Sequence, residues 1–227
     1  MKYKIVKNND KIRNSKKFTN DKFQKELVTF CKSCDKSIPL LSFIDELFHV
    51  RNVWGYDEKL SNLFPFLKSN VNDAIKVHEI FCEWKPFDKY DLGQLRGSFL
   101  EELTLELLKD VYDDELIFQE SKIILGDFQS HFWDVIVIVD DWVDAYECKF
   151  SSYSVNRGQL DDMVGLRNNL ESSMIFLVVF QPKGAVIEIL NTLKGNTSAE
   201  VYEKYLDKIN IISLEDFSRG NPFRDCT

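Results

Sequence analysis

No stretch of this chain is long and apolar enough to cross a bilayer, which takes about 20 residues. Its first residues, Met1-Lys2-Tyr3-Lys4-Ile5-Val6-Lys7-Asn8, lack the apolar segment of a signal peptide. The expected location is therefore cytoplasmic, with no membrane partner. Cysteine is sparse: five residues, an odd number, scattered at 31, 34, 82, 148 and 226. That pattern speaks against a disulfide framework and fits a reducing compartment. Cys31-Lys32-Ser33-Cys34 is a lone CxxC. A structural zinc takes four ligands, usually as two close pairs, and here only Cys82, His49 and His78 stand as distant candidates to complete it. Two cysteines on the buried stripe of a helix is the simpler reading. Gly-rich phosphate loops, a serine, histidine and acid arrangement, internal repeats and low-complexity blocks are absent as well. So is an excess of positive charge. The net charge of −8 argues against a protein that coats nucleic acid by bulk electrostatics.

What is present suffices for a full core, since 44% of the 227 residues are hydrophobic, and the length allows one large or two small domains. The charge is uneven. Residues 1–36 carry eleven Lys or Arg and four Asp or Glu, a net +7, which leaves −15 for the remainder. A basic arm beside an acidic body can contact nucleic acid or an acidic partner; a solvated tail is the alternative. Asp21 to Cys34, Leu40 to His49 and Val71 to Glu83 show apolar residues at three- and four-residue spacing, punctuated by Pro39, Gly55, Pro65 and Pro86. Residues 1–88 are thus expected to be a basic arm and a helical N-terminal region.

The stretch from Phe132 to Phe150 carries the chemistry. Two β-branched and aromatic runs flank Asp140-Asp141, which predicts a hairpin with a two-residue turn. That turn pairs 139 with 142, 138 with 143 and 136 with 145, and so sets Asp134 opposite Glu147. Lys149 shares their face, whose other pairs are Ile136 with Ala145 and Ile138 with Val143. Facing carboxylates destabilise a sheet by up to about 1 kcal/mol, which invites an offsetting cation. Hard oxygen ligands suit Mg²⁺. A bulge would change this register, and Asp144, on the opposite face, has no account.

Asp134, a hairpin and Glu147-Cys148-Lys149 together resemble the core motif of the PD-(D/E)XK, or restriction-endonuclease-like, nuclease superfamily. Other Glu-x-Lys triplets, Glu83-Trp84-Lys85 and Glu120-Ser121-Lys122, lack an aspartate at a matching upstream distance. The family order is a helix with a glutamate, three antiparallel strands, a second helix and a further strand. The chain from about Tyr90 to Phe217 follows it. Arg96 to Leu103 resembles the first helix, Leu116 to Leu125 the first strand, Asn156 to Leu170 the second helix and Met174 to Phe180 the next strand. Ile209 to Phe217 is similar to a late strand-to-helix step of Mrr-like members. The proline that often precedes the aspartate is missing.

The resemblance implies an α/β fold, with a restriction-endonuclease-like core in which helices flank a mixed central sheet. That core would span residues 89–217, with a C-terminal tail at 218–227. It implies a Mg²⁺-dependent endonuclease acting on DNA, with Mn²⁺ as substitute. Asp134, Glu147 and the backbone carbonyl of Cys148 would be the metal ligands, Lys149 would orient water or stabilise charge, and Glu101 would be a fourth catalytic group. Two roles are open to Glu101. It can face the metal if the helix begins near Tyr90, or it can close a capping box begun by Ser98, leaving Glu102 as the fallback. Arg157, Gln159 and His131 lie close in sequence to the motif; surface positions are expected for Arg157 and Gln159, and an ordinary loop position for His131. Such a nuclease often works in an anti-phage defence or restriction complex beside an ATPase or sensor protein, and oligomerisation is open. The alternatives are an RNA-directed nuclease and an inactive nuclease-fold module that binds nucleic acid or a partner protein.

Overall fold

Two runs rich in β-branched and aromatic residues, Ile117–Leu125 and Trp133–Lys149, form the middle of a seven-stranded sheet. The structure is a computed structural model. It describes residues 3–34, 36–66 and 71–224, with backbone only at 13–16 and 19, so Cys226 and the end of the expected tail lie outside the described residues.

In chain order, β1 (Lys4–Lys7) leads to α1 (Asn9–Thr19), α2 (Lys22–Ser33), α3 (Ile38–Leu47) and α4 (Val53–Leu63). Next come α5 (Val71–Trp84), the short α6 (Pro86–Lys89) and the long α7 (Leu92–Lys109). The sheet and its crossovers follow: β2 (Ile117–Leu125), β3 (Phe128–Gln129), β4 (Trp133–Val139), β5 (Trp142–Lys149), α8 (Arg157–Asn169) and β6 (Ser173–Val179). The chain continues through α9 (Lys183–Thr192), α10 (Ala199–Leu206), β7 (Asn210–Ile212) and α11 (Leu214–Phe217).

Strand order is β1-β2-β4-β5-β6-β7, with β3 paired to β2. The pairings from β1 to β5 are antiparallel, and those of β5 with β6 and β6 with β7 are parallel. Helices cover both faces. Val135, Val137, Tyr146, Cys148 and Phe176 pack with α2, α3, α5 and α7 in one core cluster. Ile136, Val143, Ala145, Ile175 and Leu177 pack under α8 and α9 in the other. Covering on both faces explains why β6 reads as an unbroken apolar run. The fold class is therefore the expected one at the level of a mixed sheet flanked by helices. No helix among the described residues is long and apolar enough to cross a membrane.

Three expectations are refined. The N-terminal residues are not only a basic arm before helices. Lys4–Lys7 pair with Ser121–Ile124 as the edge strand, and Phe23, Leu47 and Phe81 share one core with Leu103, Tyr146 and Phe217 across residue 88. Ser98 is no cap. Asp91 caps α7 by accepting from the Gln94 N–H at 2.9 Å, and Ser98 is buried in mid-helix, held by Gln24 Nε2. Gln159 and Arg157 serve local structure. Gln159 completes a capping box with Asn156, and Arg157 donates to Thr197 Oγ1 at 2.7 Å and to the Lys194 carbonyl. In the CxxC pair, Cys31 is buried on α2 as expected and Cys34 is its C-cap; neither joins a metal-ligand group among the described residues.

Candidate functional site

The hairpin has the predicted register. Val139 pairs with Trp142, Ile138 with Val143, Val137 with Asp144, Ile136 with Ala145 and Val135 with Tyr146. Asp140 takes φ 54° as the first turn residue, a conformation that aspartate tolerates better than most. Regular pairing stops one step before Asp134 and Glu147. There the Asp134 carboxylate accepts the Cys148 backbone N–H at 2.7 Å, taking the place of a strand carbonyl.

This break coincides with a second one across the sheet. The β2–β4 register runs through Gln119–Val135 and Ser121–Trp133 and omits the step between them, Glu120 opposite Asp134. Glu120 has φ 42°, uncommon for a residue in a strand. Both strands change phase here: Phe118 and Ile136 pack in the α8-side cluster on one side of the break, and Ile123 and Trp133 on the other. Alternation of period two would send Phe118 and Ile123 to opposite faces, and likewise Ile136 and Trp133. Glu120 and Asp134 are thus released from the pleat, and their carboxylates meet Glu101 of α7. One carboxylate oxygen from each of Glu101, Glu120 and Asp134 lies within 4.8 Å of the other two.

Around this trio stand its counter-charges. Lys11 of α1 reaches Glu120 Oε2 at 3.2 Å, and the Asn8 N–H donates to the Glu120 carbonyl at 2.7 Å, so the β1–α1 junction holds the strained residue. Glu147 accepts from Lys149 Nζ at 2.5 Å and sits 3.1 Å from His131 Nε2, whose ring lies 4.2 Å from that of Trp133. His131 therefore belongs to the site. Glu147 is outside the close trio, held by Lys149 and His131.

Burial dominates the protonation of these groups. It pushes Asp134 well above the usual carboxylate range, with the charges of Glu147 and Glu101 adding to the effect. Glu101 is pushed up to about 7 by burial and by Glu120, against the pull of Lys11 and Lys149. Glu147 moves the other way: burial opposes its charge, but His131 and Lys149 outweigh that and lower it. Lys149 is raised because Asp134 and Glu147 overcome the cost of burying its ammonium. Of the adjacent glutamates it is Glu101 whose carboxylate meets Glu120 and Asp134, while Glu102 feels the charges of Glu106, Lys109 and Lys25.

An open cleft of about 630 Å³ between α1 and α7 leads to Glu101 and Glu120, and Lys11, Lys17, Phe18, Gln94 and Ser98 also line it. Gly97 is one turn before Glu101, and a Cβ there would come 3.9 Å from the Glu101 carboxylate. The donor set tests well against a hard divalent cation. Three carboxylates converge and share too little positive charge. Among the described residues, Glu101, Glu120, Asp134 and Glu147 have Lys11 and Lys149 as lysine partners and His131 beside Glu147, so four carboxylates outnumber two lysines, an imbalance that protons or one divalent ion can offset.

Glu120 and Lys11 escaped the sequence reading. A tight turn fixes the β4–β5 register, but β2 and β4 are joined through β3 and a longer loop, and no residue pattern marks a change of phase. Lys11 carried no signal beyond belonging to a basic segment.

No family model matches the sequence, and neither does any curated protein. Among the solved structures similar to this chain are two distant ones. Protein VC1899 from Vibrio cholerae is 15% identical at a TM-score of 0.44, over 96% of this chain and 56% of that one. Can2 from Sulfobacillus thermosulfidooxidans, solved in complex with cyclic tetra-adenylate, is 12% identical at a TM-score of 0.38, over 56% of this chain and 35% of that one. The chain thus spans little more than half the length of the first and about a third of the second. Likeness this weak carries no functional argument.

Proposed function

We propose that this protein is a divalent-metal-dependent nuclease of the PD-(D/E)XK type that hydrolyses phosphodiester bonds in DNA. The observation that carries the reading is the meeting of Glu101, Glu120 and Asp134 beside the Glu147–Lys149 pair. Their supporting elements come in the superfamily's order: α7, then antiparallel β2, β4 and β5, then α8 and the parallel β6. The backbone of Glu120 adds support, since strained residues persist where surrounding structure imposes them and gather at functional sites.

In this reading Asp134 is the central ligand, Glu101 and Glu120 complete a carboxylate cage, and Mg²⁺, or Mn²⁺ in its place, is the ion. Glu147 and the Cys148 carbonyl form a second donor set adjoining Asp134. Bound there, the ion would polarise the scissile phosphate and lower the pKa of a water. Glu147 positions Lys149, whose ammonium would stabilise charge developing on the phosphate. His131 holds the other Glu147 oxygen and so keeps that carboxylate oriented toward Lys149. The cleft lined by Lys11, Lys17 and Phe18 offers cations and one aromatic face to the approaching strand.

The test is incubation of the purified protein with plasmid, single-stranded DNA and RNA in Mg²⁺, Mn²⁺ or EDTA. DNA cleavage with either metal, and none in EDTA, is expected. Cleavage of RNA alone would move the substrate class. Binding without cleavage under every metal would leave a non-catalytic module.

A further inference from the structure

A second group of ligating side chains lies on α4 and α5, neither of which contributes to the carboxylate site. His78 and Cys82 are four residues apart on α5 and so project from one face. Asp57 of α4 meets them: its Oδ1 is 2.8 Å from His78 Nε2. Cys82 Sγ lies 3.6 Å from Nε2 and 3.8 Å from Nδ1 of the same ring. One ligand atom from each of the three residues falls within 4.8 Å of the others. Asp57 is open to solvent, with 56% of its side chain exposed, while His78 is at 16% and Cys82 is half-buried. The group is closed toward the protein and open at one edge.

We infer that Asp57, His78 and Cys82 bind a borderline-soft divalent metal of the Zn²⁺ class, with solvent completing the coordination at the open edge. The donors are one imidazole nitrogen, one thiolate sulfur and one carboxylate oxygen, the mixture that zinc accepts and magnesium does not. An i, i+4 pair on a helix is also a spacing at which one face presents two ligands to a zinc ion. An ordinary ion pair accounts for Asp57 and His78; it does not call for a thiol in contact with the imidazole. On binding, Cys82 gives up its thiol proton to solvent, and the metal joins α4 to α5. This site involves none of the residues expected to complete a zinc centre around Cys31 and Cys34 except Cys82 and His78, and it uses no ligand from α2.

Cobalt is the probe. The full-length protein, stripped with EDTA, is titrated with Co²⁺ and followed in the near ultraviolet, where a cobalt–thiolate bond gives a charge-transfer band. The expected result is a band that saturates at one equivalent and is displaced by Zn²⁺. Cys82→Ser should abolish it, and Cys34→Ser and Cys226→Ser should keep it. His78→Ala should weaken cobalt binding by at least about tenfold, the least that losing even an outer partner of a metal site costs. Circular dichroism of each variant confirms that the fold is kept. A wild type without the band, or a band that survives Cys82→Ser, overturns the proposal. Cobalt on the all-oxygen trio gives no thiolate band, so the outcome is independent of whether the protein cuts DNA.

Discussion

The β4–β5 hairpin buries an aspartate at each end, and the two ends handle it differently. Near the turn, Asp144 is answered by a neighbour on its own strand, the Trp142 indole, which donates to it at 2.9 Å. Burial still pushes its carboxyl up to about 6. At the far end, Asp134 receives one backbone N–H and is then crowded by Glu101 and Glu120. A lone buried acid with a local donor is a structural group whose charge can be removed without consequence elsewhere. An acid set among other acids, on a backbone bent to bring them together, stores repulsion that a cation relieves. The first end shapes the hairpin; the second is the end proposed to hold a cation.

The contrast breaks most visibly in activity. Lys149→Ala should reduce DNA cleavage by about a hundredfold or more, the scale of losing one electrostatic stabiliser of a transition state. Asp144→Asn should leave the rate unchanged, because Trp142 can donate equally to an amide oxygen. A comparable loss in both variants would mean that the hairpin's rigidity, not its site, limits the rate.

Metal binding sharpens it next. Mg²⁺ at a hundred times its Kd should stabilise the wild type by about 2.7 kcal/mol, and each kcal/mol is about 2–4 °C of Tm in a chain of this size. Asp134→Asn should lose that increment and Asp144→Asn should keep it. Because Glu101 titrates at about 7 and Asp134 is also raised, the ion must displace protons. Mg²⁺ affinity should therefore climb as pH rises through about 7, and Glu101→Gln should flatten that climb. Isothermal titration across buffers of different ionisation enthalpy reads both quantities.

The last effect, at Asp144, is on stability alone. Its folded pKa is above the ordinary aspartate value, so the folded state is favoured while the group is protonated and loses that advantage as pH rises to about 6. Asp144→Asn should remove this slope from urea midpoints measured between about pH 4 and 7 and leave the protein more stable at neutral pH. An unchanged slope would place the titration elsewhere.

The same contrast explains what the sequence could disclose. A two-residue turn propagates register without ambiguity, so the pairing from Val139 back to Val135 was legible, and with it the shared location of Asp134, Glu147 and Lys149 near one end. The helical pattern through Leu95, Phe99 and Leu103 placed Glu101 on α7, but whether it turned to the site depended on where the helix began, which Asp91 decides. Glu120 carries no such mark: its Glu-x-Lys has no aspartate at a matching upstream distance, its partner across the sheet is reached by register through β3, and period two fails at that residue. β1 was invisible for another reason. Lys4-Ile5-Val6-Lys7 is a four-residue edge strand whose lysines read as a charge run. Trp142, which answers Asp144, is an i, i+2 contact that the strand pattern alone does not distinguish from an exposed aromatic.

The central claim is that Glu101, Glu120 and Asp134 hold a divalent cation. Anomalous diffraction from crystals grown with Mn²⁺ tests it most directly. The account predicts a manganese peak ligated by Asp134 and by at least one of Glu101 and Glu120. A fully occupied peak that none of these three carboxylates touches, or none anywhere near them at saturating Mn²⁺, would contradict it.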